Sequence, residues 1–262
     1  MSLTIISTPE RVKHLWHEEG TRNSIAGTQR VLAHEATGAR VLLSDSGLEY
    51  FQSDEDFQNL LGNFAVISAM PRAEIRDFSF GLPAPSIRSA RSSANGYRPR
   101  LSTIYAPVKN DNLIIKTFDF NPSLALRQFD TMGFVAKKLA QHNFNPKISS
   151  PAQHAFISPK GSGNKAIFME KIDYDRYPDG SRQQIPPDFR TRLGIIGKLY
   201  IATMPLGPFL FNDFFQQNFL QKTHNDGSIE YFIIDQPQQR PLPTDPAKIA
   251  LPLANLACKV IA

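Results

Sequence analysis

The sequence predicts an α+β fold, and three stretches carry that prediction. Asn225-Asp226-Gly227 lies between two β-prone runs, one opened by Asn218 and the other running from Ile229 to Ile234, and glycine there supplies the positive φ of a tight hairpin. Leu113-Ile114-Ile115-Lys116-Thr117-Phe118 follows an Asn110-Asp111-Asn112 turn and reads as a strand with one lysine among apolar neighbours. From about Pro122 to Gln141, Leu126, Phe129, Met132, Val135, Ala136 and Leu139 recur at helical spacing, and Asn121 or Ser123 can cap the start.

Composition bounds the function classes. With 262 residues, 41% apolar and 20% charged, the chain can bury a full core in one large domain or two lobes. No apolar run approaches the roughly 18 residues that cross a bilayer, and Met1 to Ser7 lacks the basic start and apolar centre of a signal peptide, so a cytosolic fold without a membrane span is expected. The lone Cys258 rules out an internal disulfide and a cysteine-ligated zinc. A formal charge of +5 attracts nucleotides, acidic proteins or anionic lipid. Neither a tight basic run nor an RNA-binding aromatic motif is present, so no nucleic-acid partner is expected.

Residues 1–85 read as an N-terminal extension with a regulatory or docking role. Pro9 to Glu19 suggests a short helix, Ala39 to Leu43 a strand, and Ser53-Asp54-Glu55-Asp56 an acidic helix start leading to Phe57, Leu60 and Leu61. His14 and His17 flank Trp16 without a third ligand nearby and read as a solvated helix face. From Gly81 to Arg100 the chain turns to Pro, Ser, Arg and Ala, and Ser92 to Tyr97, with Asn95 and Gly96, is a small-residue loop before the strand Leu101 to Pro107. Arg88, Arg91, Arg98 and Arg100 suit phosphate contacts and a solvated loop equally. After Pro146 a strand passes through His154 to Ile157, a Gly161 to Asn164 turn follows, and Lys165 to Ile172 forms the next strand. A polar loop from Asp173 to Pro187 precedes a helix at about Asp188 to Ala202, and Ala247 to Val260 reads as a last helix.

Function is most legible between Phe211 and Pro237. Asp213 is followed five residues later by Asn218, the hairpin opens there, and its second run ends in Asp235. Closing the hairpin carries Asn218 towards Asp235, and a hard cation such as Mg²⁺ takes oxygen ligands of this kind together with substrate phosphates. Asp213 is left to act as a base.

At these residues the chain resembles the protein-kinase fold, whose catalytic loop reads H-R-D-x-x-x-x-N and whose metal aspartate follows a hairpin. Here Phe211-Asn212-Asp213 stands for His-Arg-Asp, Asn218 for the asparagine, and Asp235-Gln236-Pro237 for Asp-Phe-Gly. Leu113 to Lys116 is similar to the strand whose lysine anchors the α- and β-phosphates, and Asn95 and Gly96 stand where a glycine-rich loop covers ATP. Met169 resembles the gatekeeper, and Glu170, Lys171 and Ile172 the linker that holds adenine. The family's helix carries a glutamate that pairs with the lysine; here no glutamate occurs between Pro122 and Gln141, and Asp130 or Gln128 stands nearest that role.

The resemblance implies a bilobal fold with an N-lobe and hinge over 86–172 and a truncated C-lobe over 173–262. It implies an ATP- and Mg²⁺-dependent Ser/Thr protein kinase in which Asp213 and Lys116 are catalytic, Lys116, Met169, Glu170, Lys171, Ile172, Asn95 and Gly96 bind the nucleotide, and Asn218 and Asp235 bind the metal. The short chain after Asp235 is similar to the minimal kinases that bacterial pathogens inject into host cells, which implies a secreted virulence effector acting on a host protein, either constitutively competent or switched by an activating protein in place of an activation loop. A pseudokinase or scaffold that binds a partner protein, and a small-molecule phosphotransferase, are the alternatives.

Overall fold

The computed structural model describes residues 15–67, 102–105, 112–118, 122–161, 164–178, 209–211, 218–234 and 239–241, with Thr191, Gly194, Ile195, Gly197 to Leu199 and Ala202 between them. The protein is a mixed α+β fold. Its described elements are β1 (Trp16–Ser24), β2 (Gly27–His34), β3 (Arg40–Leu43), α1 (Asp45–Ser53), α2 (Glu55–Ile67), β4 (Ser102–Tyr105), β5 (Leu113–Phe118), α3 (Pro122–Ala140), β6 (Lys147–Ser149), β7 (Gln153–Ser158), β8 (Lys165–Glu170), β9 (Phe209–Phe211), β10 (Phe219–Thr223), β11 (Ile229–Ile233) and β12 (Gln239–Pro241). The chain divides into two compact units, the first holding residues 1–23, 28–125 and 154–168 and the second the remainder.

The first unit is built on a seven-stranded sheet in the order β1-β2-β3-β7-β8-β5-β4. The pairs β2–β3, β3–β7 and β4–β5 are antiparallel. Thus the strands of residues 16–43 continue the sheet that holds Lys116. Val41, Leu43, Ile115, Ala155, Ile157, Ala166 and Phe168 face a core closed by Phe57, Leu61, Phe64 and Ala65 of α2. Phe168 meets Phe57 and Phe64 edge-on, at centroid distances of 6.1 and 5.7 Å, a favoured arrangement for buried rings. Helix α2 starts where its acidic sequence predicts, with Asp54 Oδ1 accepting from the N–H groups of Asp56 and Phe57.

The helix expected over Pro9 to Glu19 is corrected where the structure describes it. Trp16 to Ser24 is strand, and His17 is solvated on it, 4.0 Å from Glu19, instead of on a helix face. Arg30 of the adjacent β2 and Arg40 of β3 pair with Glu18 and Glu19. These partners, and the hairpin closed by Thr28 Oγ1 donating to Asn23 Oδ1 at 3.1 Å, outweigh a weak local helix preference. His14 lies outside the described residues.

His154 sits in the middle of this unit, 7% exposed on a strand covered along most of its length. Its Nδ1 is 3.2 Å from Ser46 Oγ and its ring stacks on Tyr50 at 5.1 Å. Burial lowers its pKa from 6.5 to about 4. Between those values the unfolded chain binds a proton that the folded chain refuses, so stability is lost as pH falls through that window and is intact above 6.5. The loss amounts to about 3 kcal/mol by pH 4. Denaturant titrations at pH 7 and pH 4 measure it, and His154→Phe should flatten the difference.

In the second unit β10 and β11 form an antiparallel hairpin and β6 adds to β11 in parallel. Phe219, Tyr231, Ile233 and Ile148 pack on Met132, Val135 and Leu139 of α3 and on Ile195, Leu199 and Ala202. The described residues between Thr191 and Ala202 are helical, as their spacing predicts. Strands β9 and β12 form a separate antiparallel pair. Among the described residues no helix is long and apolar enough to cross a membrane. The expected helix over Ala247 to Val260 lies outside the described residues.

Candidate functional site

The hairpin of the second unit carries Asn218, one of the two residues read as metal ligands. Its turn is closed by Gly227 N–H donating to His224 O and His224 N–H to Ser228 O, both at 2.9 Å, with Gly227 at φ 81°. Only a residue without a side chain takes that conformation at little cost. The register pairs Thr223 with Ile229 and Phe219 with Ile233. One residue further, Ile234 N–H donates to Asn218 O at 2.9 Å. Asn218, 5% exposed, is therefore fastened to the residue that precedes Asp235. Asp235 itself, Asp213, Asn95, Gly96 and the arginines from Arg88 to Arg100 lie outside the described residues.

As residue types, the amide of Asn218 and the carboxylate of Asp235 suit a hard cation, while among the described residues no group of three or more His, Cys, Asp or Glu side chains could hold a metal ion. A Mg²⁺ ion, if Asn218 and Asp235 held one, would supply positive charge to anionic substrate oxygens.

The segment read as the adenine linker belongs to the same unit as the hairpin. Met169 is buried in β8, and Glu170 exchanges bonds with Ala152, its N–H donating to Ala152 O at 2.9 Å and its Oε2 accepting from Ala152 N–H at 3.0 Å. Lys171 is exposed. Ile172 turns inward and packs on Leu220 and Phe232 of the hairpin, with Tyr174 and Ile234 beside them. Asp175 completes the attachment: its N–H donates to Gln221 O at 2.9 Å, and its Oδ2 accepts from Thr223 N–H at 2.8 Å and Thr223 Oγ1 at 2.6 Å. The structure thus brings together Ile172, Asn218 and the approach to Asp235.

Lys116 lies in β5, between β8 and β4 in the first unit's sheet. It is 6% exposed, with Nζ 5.5 Å from the Phe118 ring centre, and not on a solvated face. Lysine is seldom kept out of water, since a buried ammonium is costly without compensating charge or dipoles. Gln128 and Asp130 of α3 are buried as well.

Sequence reading passed over Glu230. Its carboxylate is buried at the centre of the three-stranded sheet and accepts from Ser149 Oγ, from Lys147 Nζ at 2.9 Å and from His224 Nε2 at 2.9 Å. Burial raises its pKa, but the three donors together outweigh burial and hold it below the ordinary carboxylate value. The one available signal was a charged residue inside an otherwise apolar run, Ile229-Glu230-Tyr231.

Compared with protein-family models and with curated proteins, the chain finds no match.

Proposed function

We propose that the chain is an ATP- and Mg²⁺-dependent phosphotransferase with a bilobal kinase-like architecture, acting on Ser or Thr of a protein. The observation that carries the reading is the hairpin register, in which Ile234 N–H, one residue before Asp235, donates to Asn218 O. Two further features support it: the Ile172 segment is clipped to that hairpin, and the strand of Lys116 neighbours the strand that leads into Met169.

In this reading Asn218 and Asp235 hold the metal, the backbone of Glu170 to Ile172 takes the base of the nucleotide, and Lys116 steadies the phosphates. Asp213 accepts the proton of the attacking hydroxyl. Phosphoryl transfer asks a protein mainly for placement and for fixed charge where charge develops, and these residue types supply both.

The purified chain incubated with γ-labelled ATP, Mg²⁺ and a host-cell lysate should label a small set of proteins. Labelling without lysate would indicate autophosphorylation, and Mg²⁺-ATP binding with no transfer under any condition would make the chain a nucleotide-binding scaffold. Lys116→Ala is expected to raise the KM for ATP and lower the rate, together by about 2–4 kcal/mol in transition-state stabilisation. Steady-state kinetics read it, and an unchanged kcat/KM would remove Lys116 from the site.

A further inference from the structure

Helix α3 carries a glycine near its middle, a poor choice for a helix interior compared with alanine. Its surroundings account for it. A Cβ on Gly133 would meet the Cβ of Ala26 at 3.2 Å, closer than ordinary van der Waals contact. One helical turn later, a Cβ on Gly27 would lie 3.4 Å from Lys137 Nζ. Ala26 lies in the turn between β1 and β2 and Gly27 opens β2, and residues 24–27 fall in the same compact unit as most of α3.

The turn is shaped by its own bonds. Ser24 Oγ donates to Gly27 O at 3.0 Å and accepts from Ala26 N–H at 3.2 Å, and Gly27 takes a φ of 122°. Such a conformation is open to glycine and strained for other residues. Ala26 then packs against the cluster that includes Met132, Val135 and Leu139. A preformed turn with a methyl group at its tip, facing a helix that has left out a methyl group at the same place, is a seat built from both sides.

We propose that the Ser24–Gly27 turn is a built-in brace for α3, a segment of the chain itself that holds this helix in the form phosphotransfer requires. The consequence for transfer rests on the phosphotransferase reading above; the brace rests on the Ala26–Gly133 seat. Helix α3 follows β5, the strand of Lys116, after residues 119–121, and it carries Gln128 and Asp130. The brace does from within the chain what an activating protein would otherwise have to do.

Two measurements test the seat without reference to activity. With Ala26 in place, Gly133→Ala should leave the denaturation midpoint unchanged or lower it, because the added methyl meets Ala26. In an Ala26→Gly background the same substitution should raise the midpoint, since alanine is then free to express its helix preference. An equal rise in both backgrounds overturns the proposal. In Ala26→Asp, backbone amides of residues 126–140 should exchange with solvent at least tenfold faster while those of β10 and β11 keep their rates; unchanged exchange in α3 overturns it as well. The third measurement is phosphotransfer, expected at least tenfold lower in Ala26→Asp and lowered less in Ala26→Gly, which empties the seat without forcing the turn away. Faster exchange with full transfer would make the turn a packing contact only, and the regulatory proposal would fail. If the wild-type chain transfers no phosphate, the phosphotransferase reading fails, and the brace is still decided by the first two measurements.

Discussion

Asp235→Asn is expected to abolish phosphotransfer and Mg²⁺-dependent nucleotide binding together. The substitution keeps the size of the side chain and removes its charge, and it is the charge that holds a divalent cation over phosphate oxygens. Asp213→Asn should separate the two properties. A base that takes a proton from the acceptor hydroxyl contributes at the transition state and little to the bound nucleotide, so binding should survive while turnover falls by about 10²- to 10⁴-fold. Calorimetry with ATP, with and without Mg²⁺, and labelled-phosphate transfer distinguish the outcomes. Wild-type transfer by both variants would sink the assignment, and loss of binding in Asp213→Asn would recast that residue as a ligand of the nucleotide or metal. Asn218 adds a check, because its main-chain carbonyl takes part in the hairpin whatever its side chain is: Asn218→Ala should weaken Mg²⁺ dependence more than it weakens the fold.

Gly47→Ala should destabilise the first unit by at least about 3 kcal/mol, enough to unfold many domains of this size. Gly47 is buried in the first turn of α1, whose N-cap is Ser44. A Cβ placed there would stand 1.7 Å from the carbonyl oxygen of His154 and 2.6 Å from its carbonyl carbon. The obstacle is the backbone of a central strand, which cannot rotate aside as a long side chain could. The same carbonyl accepts the N–H of Ser44 at 3.1 Å, so moving the helix away would also cost a hydrogen bond at its cap. Chemical denaturation of the variant measures the effect, and a change under 1 kcal/mol would mean that α1 does not approach β7 so closely. Gly38, where a Cβ would meet only the side chain of Lys160 at 3.2 Å, offers a milder comparison, although its φ of 65° disfavours other residues.

Where local chemistry dictates structure, the sequence was readable. Asn225-Asp226-Gly227 announced a hairpin, and the observed register pairs the runs on either side of it. The apolar spacing of Leu126 to Leu139 announced α3, and the acidic start at Asp54 announced α2. The Leu113 to Phe118 strand emerged with Lys116 within it. Reading failed where the deciding partner is remote. Pro9 to Glu19 read as a short helix, whereas Trp16 to Ser24 is strand, selected by pairing beside β2 with Arg30 and Arg40 offered to Glu18 and Glu19. Helix α1 went unread because its one buried residue is Gly47, whose reason for burial lies on β7.

For the candidate site the division follows the same physics. The proposed roles, oxygen ligands at Asn218 and Asp235, a base at Asp213 and a cation at Lys116, come from the sequence alone, because residue type and hairpin spacing are local properties. Tertiary structure decided what surrounds them. It buried Lys116 in a strand of a sheet that begins at residue 16, joined Ile172 and Asp175 to the hairpin, placed Glu230 under Ser149 and Lys147 of β6, and seated Ala26 against Gly133. These relations join residues separated by tens of positions or more, and no window of the chain contains both partners. Their energies come from burial and from hydrogen bonds that exist only after the chain has closed on itself.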